Sequence, residues 1–247
     1  MHESQLHQFS SFVTLTYDDT HIPYGGVLHY RHYQLFMRKL RKRLPSVRFF
    51  MCGEYGEQLA RPHYHAALFG AAFEDRYPWR KSAAGFQLYR SPSLESLWDF
   101  GGAEIGDLSF ESAAYVARYC LKKYVGKGKE AHYEKLVFDT GEVIQAVPEF
   151  MRCSTGGRFG KGIGARWLDL FKGDLLPRDA VVMDGKQVPI PRYYLDRLTE
   201  DERSGYTMRR YAASEGGIDS RPDRLRVREI VAQAGMSFKS TRNLGEL

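Results

Sequence analysis

The chain has 247 residues, with 36 Lys and Arg against 30 Asp and Glu and a pI near 9.1. That length suits one domain of roughly 150–200 residues plus an appended piece, and the formal charge of +6 suits a polyanionic partner. No apolar run approaches the ~20 residues of a membrane span, and the opening MHESQLHQFS lacks the basic start and apolar stretch of a signal peptide. Cys52, Cys120 and Cys153 are too scattered for a disulfide framework or a zinc knuckle, so a reducing cytoplasm is expected.

Phe12-Val-Thr-Leu-Thr-Tyr17 alternates as a strand does and is broken by Asp18-Asp19-Thr20 and Gly25-Gly26. Tyr33, Phe36, Met37 and Leu40 recur at helical spacing between Tyr30 and Leu44, with a basic cluster over the rest of that surface, and Pro45-Ser46 stops the helix. Val47 to Tyr55 and Pro62 to Phe69 read as two strands of a hairpin joined by a short polar connection. Residues 71–92 show no clear period and read as loop, with Tyr77 and Trp79 as candidate stacking platforms for unpaired bases. A short helix over Leu94 to Phe100, a strand over Ala103 to Leu108 and a helix over Phe110 to Val125 follow, the last between Ser109 as N-cap and Gly126 as stop.

This order predicts an α+β fold, an antiparallel sheet with helices packed on it, over residues 1–128. Residues 129–247 change character: Lys-rich turns, the glycine-rich run Gly156 to Gly162, a Val181 to Val188 hairpin turning at Asp184-Gly185, and a charged tail from Thr199. They are expected to form an accessory, DNA-contacting region with a mobile tail.

Side chains two apart on a strand share a face, so His63 and His65 project together while Tyr64 projects the other way. A hairpin turning near Leu59 puts Glu54 opposite or diagonal to the pair, within about 4.5–8 Å. Two imidazoles and a carboxylate suit Mn²⁺ or Mg²⁺, and zinc also fits the ligand types. Tyr115 and Tyr119 lie one helical turn apart on one face, bordered by Lys122 and Lys123. A separate apolar stripe of Phe110, Ala113, Ala114, Val116, Ala117 and Leu121 frees the tyrosines from packing duty. Metal ligands beside phenols point to phosphodiester cleavage through a 5′-phosphotyrosine. Candidate DNA contacts are Arg38, Lys39, Arg41 and Lys42 in the first helix, Lys127, and Arg158 with Lys161 in the glycine-rich run.

On these residues the chain resembles the gokushovirus-type replication initiators of the Microviridae, within the HUH endonuclease superfamily. Phe12 to Tyr17 resembles the first family motif, Arg61-Pro-His-Tyr-His-Ala-Ala-Leu-Phe-Gly70 the second, and Tyr115-Val-Ala-Arg-Tyr-Cys-Leu-Lys-Lys123 the third. Gly156 to Trp167 and Gly185 to Tyr194 are also similar to that group. The resemblance implies a ferredoxin- or RRM-like sheet of about five strands, completion of the metal site by Glu54, and rolling-circle replication in the cytoplasm of a bacterial host. Single-stranded and duplex viral origin DNA would be the partners, with host helicase and replication machinery alongside. Tyr119-Cys-Leu-Lys122 is similar to the Tyr-x-x-Lys signature of single-tyrosine relatives, which ranks Tyr119 ahead of Tyr115 as nucleophile. The rivals are a tyrosine transposase or relaxase of the same chemistry and a non-catalytic module that stacks single-stranded DNA or RNA.

Overall fold

Residues Ser10–Thr16 form β1, where Val13 and Leu15 turn into the core and Phe12, Thr14 and Thr16 turn the other way. The computed structural model describes residues 1–56, 59–82, 84–122, 128–155, 161–183, 185–214 and 221–241, without the side chains of 119–122, 129, 214 and 237–241. The chain divides into two compact units, Met1–Gly164 and Ala165–Gly245.

In the first unit β1 is followed by α1 (Tyr30–Arg43), β2 (Arg48–Tyr55) and β3 (Pro62–Phe69). Then come β4 (Tyr77–Lys81), β5 (Gln87–Arg90), α2 (Pro92–Glu95), β6 (Ala103–Asp107) and α3 (Phe110–Lys122). The short α4 (Lys129–His132), the hairpin β7 (Glu134–Val137) and β8 (Glu142–Gln145), and β9 (Phe150–Cys153) complete it. Seven strands pair in the order β4-β5-β6-β1-β3-β2-β9, every pairing antiparallel.

The α+β class and the antiparallel sheet are as expected, but the sheet has seven strands rather than five. Residues 71–92 are not a loop: they hold β4 and β5, whose pairing shifts register between Pro78 and Arg80. Exposure along β4 erases the alternation that would betray it, and side-chain bridges hold the hairpin instead. Arg76 lies over the Tyr89 ring at 4.7 Å, Arg90 over the Trp79 ring at 4.9 Å, and Arg80 pairs with Glu104 of β6. The helix expected over Leu94 to Phe100 starts and stops earlier. Ser91 caps it by accepting from the Leu94 amide at 3.1 Å, with Pro92 at its first position.

Two helices cover opposite faces of the sheet. Tyr33 of α1 packs against Tyr64 and Phe49 with ring centroids 5.8 and 5.4 Å apart, and Phe36 meets Trp98. The main core therefore lies between α1 and the face carrying Val13, Leu15, Met51 and Tyr64. On the other face α3 packs on β2, β3 and β9, where Val116 and Cys52 are buried with Phe12, Phe50, Tyr115 and Met151 around them. A reciprocal pair of bonds between the backbone amides and hydroxyls of Ser109 and Ser112, 2.9 and 3.2 Å, fixes where α3 begins.

The chain after α2 passes tightly along the end of β1. Thr16 and Asp18 amides donate to the carbonyls of Gly102 and Phe100, both at 2.9 Å, and Gly101 has φ +146° between them.

The second unit holds α5 (Ala165–Arg178), the hairpin β10 (Ala180–Met183) and β11 (Lys186–Pro189), α6 (Arg192–Leu195), α7 (Glu200–Ser214) and α8 (Pro222–Thr241). The hairpin falls where the sequence put it, although Asp184 of its turn lies outside the described residues. The tail from Thr199 is helical rather than mobile over α7 and α8. A capping box starts α7: Thr199 Oγ1 accepts from the Glu202 amide at 3.3 Å while Glu202 accepts from the Thr199 amide at 3.0 Å.

Candidate metal centre and nuclease site

The antiparallel register sets Glu54 opposite His63 and Cys52 opposite His65. Glu54, His63 and His65 thus emerge on the α3 face, while Tyr64 is fully buried on the α1 face. The Tyr64 hydroxyl accepts from the His29 amide at 3.0 Å and shares a hydrogen bond with the Tyr17 hydroxyl at 3.1 Å. Its task is packing.

Glu54 Oε1 lies 2.6 Å from His63 Nε2 and 3.0 Å from His65 Nε2, and one ligand atom from each residue falls within 4.8 Å of the others. The far ring nitrogens are engaged elsewhere: His63 Nδ1 with the Arg61 carbonyl at 3.0 Å and His65 Nδ1 with Thr14 Oγ1 at 2.9 Å. Both Nε2 atoms therefore turn inward, the orientation that outer partners impose on metal-bound histidines. Thr14 is across from His65 in the β1–β3 ladder and was not singled out from sequence. The signal for it was present, because the Thr14-x-Thr16 alternation shares parity with His65 and His63 once β1 is paired with β3.

Burial of Glu54 pushes its carboxyl up, but hydrogen bonds and charge from His63 and His65 together outweigh that and leave it below its ordinary value. Burial pushes His65 down, and the hydrogen bond to Glu54 opposes this without cancelling it. Glu54 Oε2 is buried with no hydrogen-bond partner. An unmatched buried carboxylate oxygen beside two convergent imidazole nitrogens is a poor arrangement for a closed polar network and a suitable one for a divalent cation. The residues present fit Mn²⁺ or Mg²⁺.

Tyr115 reaches the same point from α3. Its hydroxyl is 3.4 Å from Glu54 Oε1, and its ring meets His65 edge-on at 5.0 Å. Phe12 stacks on the other side of His65 at 5.5 Å with an 18° interplanar angle. A cavity of about 220 Å³ opens beside the cluster, with His65 and Tyr115 in its wall. Of the other sequence candidates, the side chains of Tyr119 and Lys122 lie outside the described residues, as do Lys123, Lys127 and Arg158 entirely.

Arg38, Arg41 and Lys42 are exposed on α1, whose layer is on the far side of the sheet from the histidines. Lys39 pairs with Asp99, and Arg41 lies over the Phe49 ring at 5.6 Å. Lys161, the described residue of the glycine-rich run nearest the sheet, gives its carbonyl to Arg48 and shares a cavity with Arg41 and Arg48. The geometry thus joins Glu54, His63, His65 and Tyr115 at one point and sets the α1 cations apart from it. No helix among the described residues is long and apolar enough to cross a membrane.

Residues 10–124 match the family described as replication-associated protein of the ORF2 type, a span holding β1, the His-Tyr-His strand and α3. The chain is 30% identical over 205 residues to the replication-associated protein VP4 of Bdellovibrio phage phiMH2K, covering 79% of this chain and 59% of that protein. It is 31% identical over 204 residues to the replication-associated protein ORF2 of Spiroplasma virus 4, covering 77% and 58%. With the replication-associated protein ORF4 of Chlamydia phage 1 the identity is 32% over 132 residues, 50% of this chain and 33% of that one. The chain thus spans a little under three-fifths of the length of the first two relatives. No solved structure matches it. By these matches and the motifs they span, the chain belongs with the replication-associated proteins of the Microviridae.

Proposed function

We propose that this chain is a rolling-circle replication initiator that nicks and rejoins single-stranded DNA at a viral origin through a 5′-phosphotyrosine, with Mg²⁺ or Mn²⁺ held by Glu54, His63 and His65. The observation that carries the reading is the meeting of those three ligands with the Tyr115 phenol on one face of the sheet. The names of the phage relatives support the replication role.

A divalent ion in this cluster supplies Lewis-acid polarisation of the scissile phosphate. The remaining work falls to the chain. Thr14 and the Arg61 carbonyl hold the two imidazoles in place, and the rigid β2–β3 pair fixes their separation. A tyrosine of α3 attacks the phosphorus, the bond to the 3′ oxygen breaks, and that oxygen leaves as a hydroxyl after taking a proton. Lys122 and Lys123 are assigned to favour the phenolate and offset charge in the transition state. The second tyrosine attacks a second site, while the free 3′-hydroxyl displaces the first tyrosine and reseals the strand. Tyr119 is assigned the first cut and Tyr115 the second. The cations of α1, a sheet layer away, are assigned to duplex flanking the nick, together with Lys127, Arg158 and Lys161.

The test is incubation of the chain with single-stranded fragments tiling a cognate phage genome in Mn²⁺, followed by denaturing electrophoresis. A covalent protein–DNA adduct is expected from an origin fragment and is lost in His63→Ala and His65→Ala with DNA binding kept. Absence of adduct on every fragment overturns the proposal in favour of a binding module. Tyr119→Phe should slow the first cut more than Tyr115→Phe, and equal rates would reverse the ranking.

A further inference from the structure

The cavity beside the metal cluster measures about 220 Å³, below the ~300–1,000 Å³ of pockets that take drug-sized molecules. That leaves room for one ring system rather than a folded stretch of chain. Its inner wall is the His65 and Tyr115 pair already described, so whatever enters it lies against the cleavage centre. Its apolar lining comes from Phe12 of β1 and from Phe86 and Leu88 of the β4–β5 hairpin. Phe12 stands edge-on to Tyr115, with ring centroids 6.5 Å apart. Flat aromatic and aliphatic walls of this kind accept the face of a base, whatever its sequence.

The polar lining is one-sided. Gln87 spends its Nε2 on the carbonyls of Arg80 and Leu88, at 3.1 and 2.8 Å, so its amide has an oxygen to offer as acceptor. Arg80 turns Nε and Nη2 to the two oxygens of Glu104, both at 2.8 Å, which neutralises the guanidinium in the lining. The carboxylates of Glu104, Asp107 and Glu111 also border the cavity. Acceptors dominate, and acceptors distinguish bases. Cytosine and adenine present an exocyclic amine, whereas thymine presents a carbonyl oxygen and a methyl group.

We propose that this cavity holds one unpaired base of the DNA strand beside the scissile phosphate and selects an amino-bearing base, cytosine or adenine, over thymine, with Gln87 and Glu104 as specificity-determining residues. The placement beside a scissile phosphate rests on the nuclease reading above. The base preference does not, and it is measured without cleavage.

The experiment is fluorescence anisotropy of labelled dC12, dA12, dT12 and dU12 with the full chain in EDTA at pH 8. At least one of dC12 and dA12 should bind about fivefold or more tightly than both dT12 and dU12, the low end of what a good base contact discriminates. The dU12 arm separates recognition of the amine from exclusion of the methyl group. Leu88→Trp, which fills the cavity, should bring the ratio to within about twofold. Gln87→Lys, which replaces an acceptor with a donor, should abolish or invert it and decides the matter if Leu88→Trp does not fold. Equal binding of all four oligonucleotides, or a preference that survives both substitutions, overturns the pocket. A preference seen without any covalent adduct would leave the pocket standing and remove the nuclease reading; adduct formation with no preference would do the reverse.

Discussion

Glu54 of β2 and His63 of β3 face one another across a single rung of the ladder, and their side chains close to 2.6 Å. The carboxylate is 2% exposed and has one oxygen without a hydrogen-bond partner, so this contact is half of a site for a third party. Glu54→Gln keeps the shape and removes the charge. It should weaken Mn²⁺ binding by more than about 100-fold, above the 10- to 100-fold seen for outer partners of metal ligands. Calorimetric titration measures this directly. In thermal melts Mn²⁺ should raise the midpoint of the unmodified chain over EDTA and leave Glu54→Gln unmoved.

Thr14 acts through His65 rather than on any ligand of its own. Thr14→Val removes the hydroxyl 2.9 Å from His65 Nδ1 at almost constant volume. Metal affinity should fall about 10-fold for a stability change of about 1 kcal/mol. Thr14→Ser, which restores a hydroxyl, should recover most of the affinity. An unchanged affinity in Thr14→Val would remove the positioning role.

Tyr64, between the two histidines, should behave in the opposite way. Tyr64→Phe deprives the His29 amide and the Tyr17 hydroxyl of their buried partner and should cost about 1–3 kcal/mol in urea unfolding. Mn²⁺ affinity should stay within about twofold, because the hydroxyl lies on the α1 side of the sheet.

Gly101 is held where a side chain cannot go. A Cβ there would stand 2.4 Å from the Asp18 nitrogen and 2.5 Å from the Thr16 carbonyl oxygen, both backbone atoms, at a φ of +146°. Gly101→Ala should destabilise the chain by about 2–3 kcal/mol or more, read as a drop in the urea midpoint. Gly141→Ala, at φ +71° with nothing near its Cβ, should cost about 1 kcal/mol.

Acid should weaken the metal-free fold before it protonates ordinary carboxylates. Burial lowers His32, with the neighbouring His29 adding to it, and burial lowers His65 against the pull of Glu54. Each contributes stability that is complete above the unfolded value of about 6.5 and is lost as pH falls through the depressed folded value. Glu54, also depressed, adds a loss that starts only below its ordinary value of 4.5. Urea unfolding in EDTA should therefore give falling stability from pH 7 downward, with a shallower slope in His32→Gln. A profile flat from pH 7 to 5 would contradict the assignment.

Much of this was legible in the sequence because periodicity reports burial. β1, α1, β2, β3, β6 and α3 each bury one side and alternate accordingly, and the same parity put Glu54, His63 and His65 on one face. The β4–β5 hairpin was not legible: β4 is exposed along its whole length, its register shifts after Pro78, and arginine–aromatic and Arg80–Glu104 bridges hold it. β9 joins the sheet by pairing with β2, a partner far earlier in the chain, and so short a strand carries too little pattern to announce that. The helix over Glu200–Ser214 did have a local sign, since Thr199 and Glu202 sit at capping-box spacing, but its charge masked it. Tyr115 was placed correctly on its helix face, yet its proximity to Glu54 depends on α3 crossing β2, which no local pattern encodes.

One alternation on β3 gives the core Tyr64 and the reactive centre His63 and His65. Slipping that strand by a single residue against its neighbours would exchange the two sets: paired imidazoles would be driven into the space between sheet and α1, and a phenol would be left where an ion should go. A misaligned chain therefore fails as a folded protein before it can fail as a catalyst. The hydrophobic interior serves as proofreader for the chemistry, and a chain stable enough to persist is one whose ligands already stand in line.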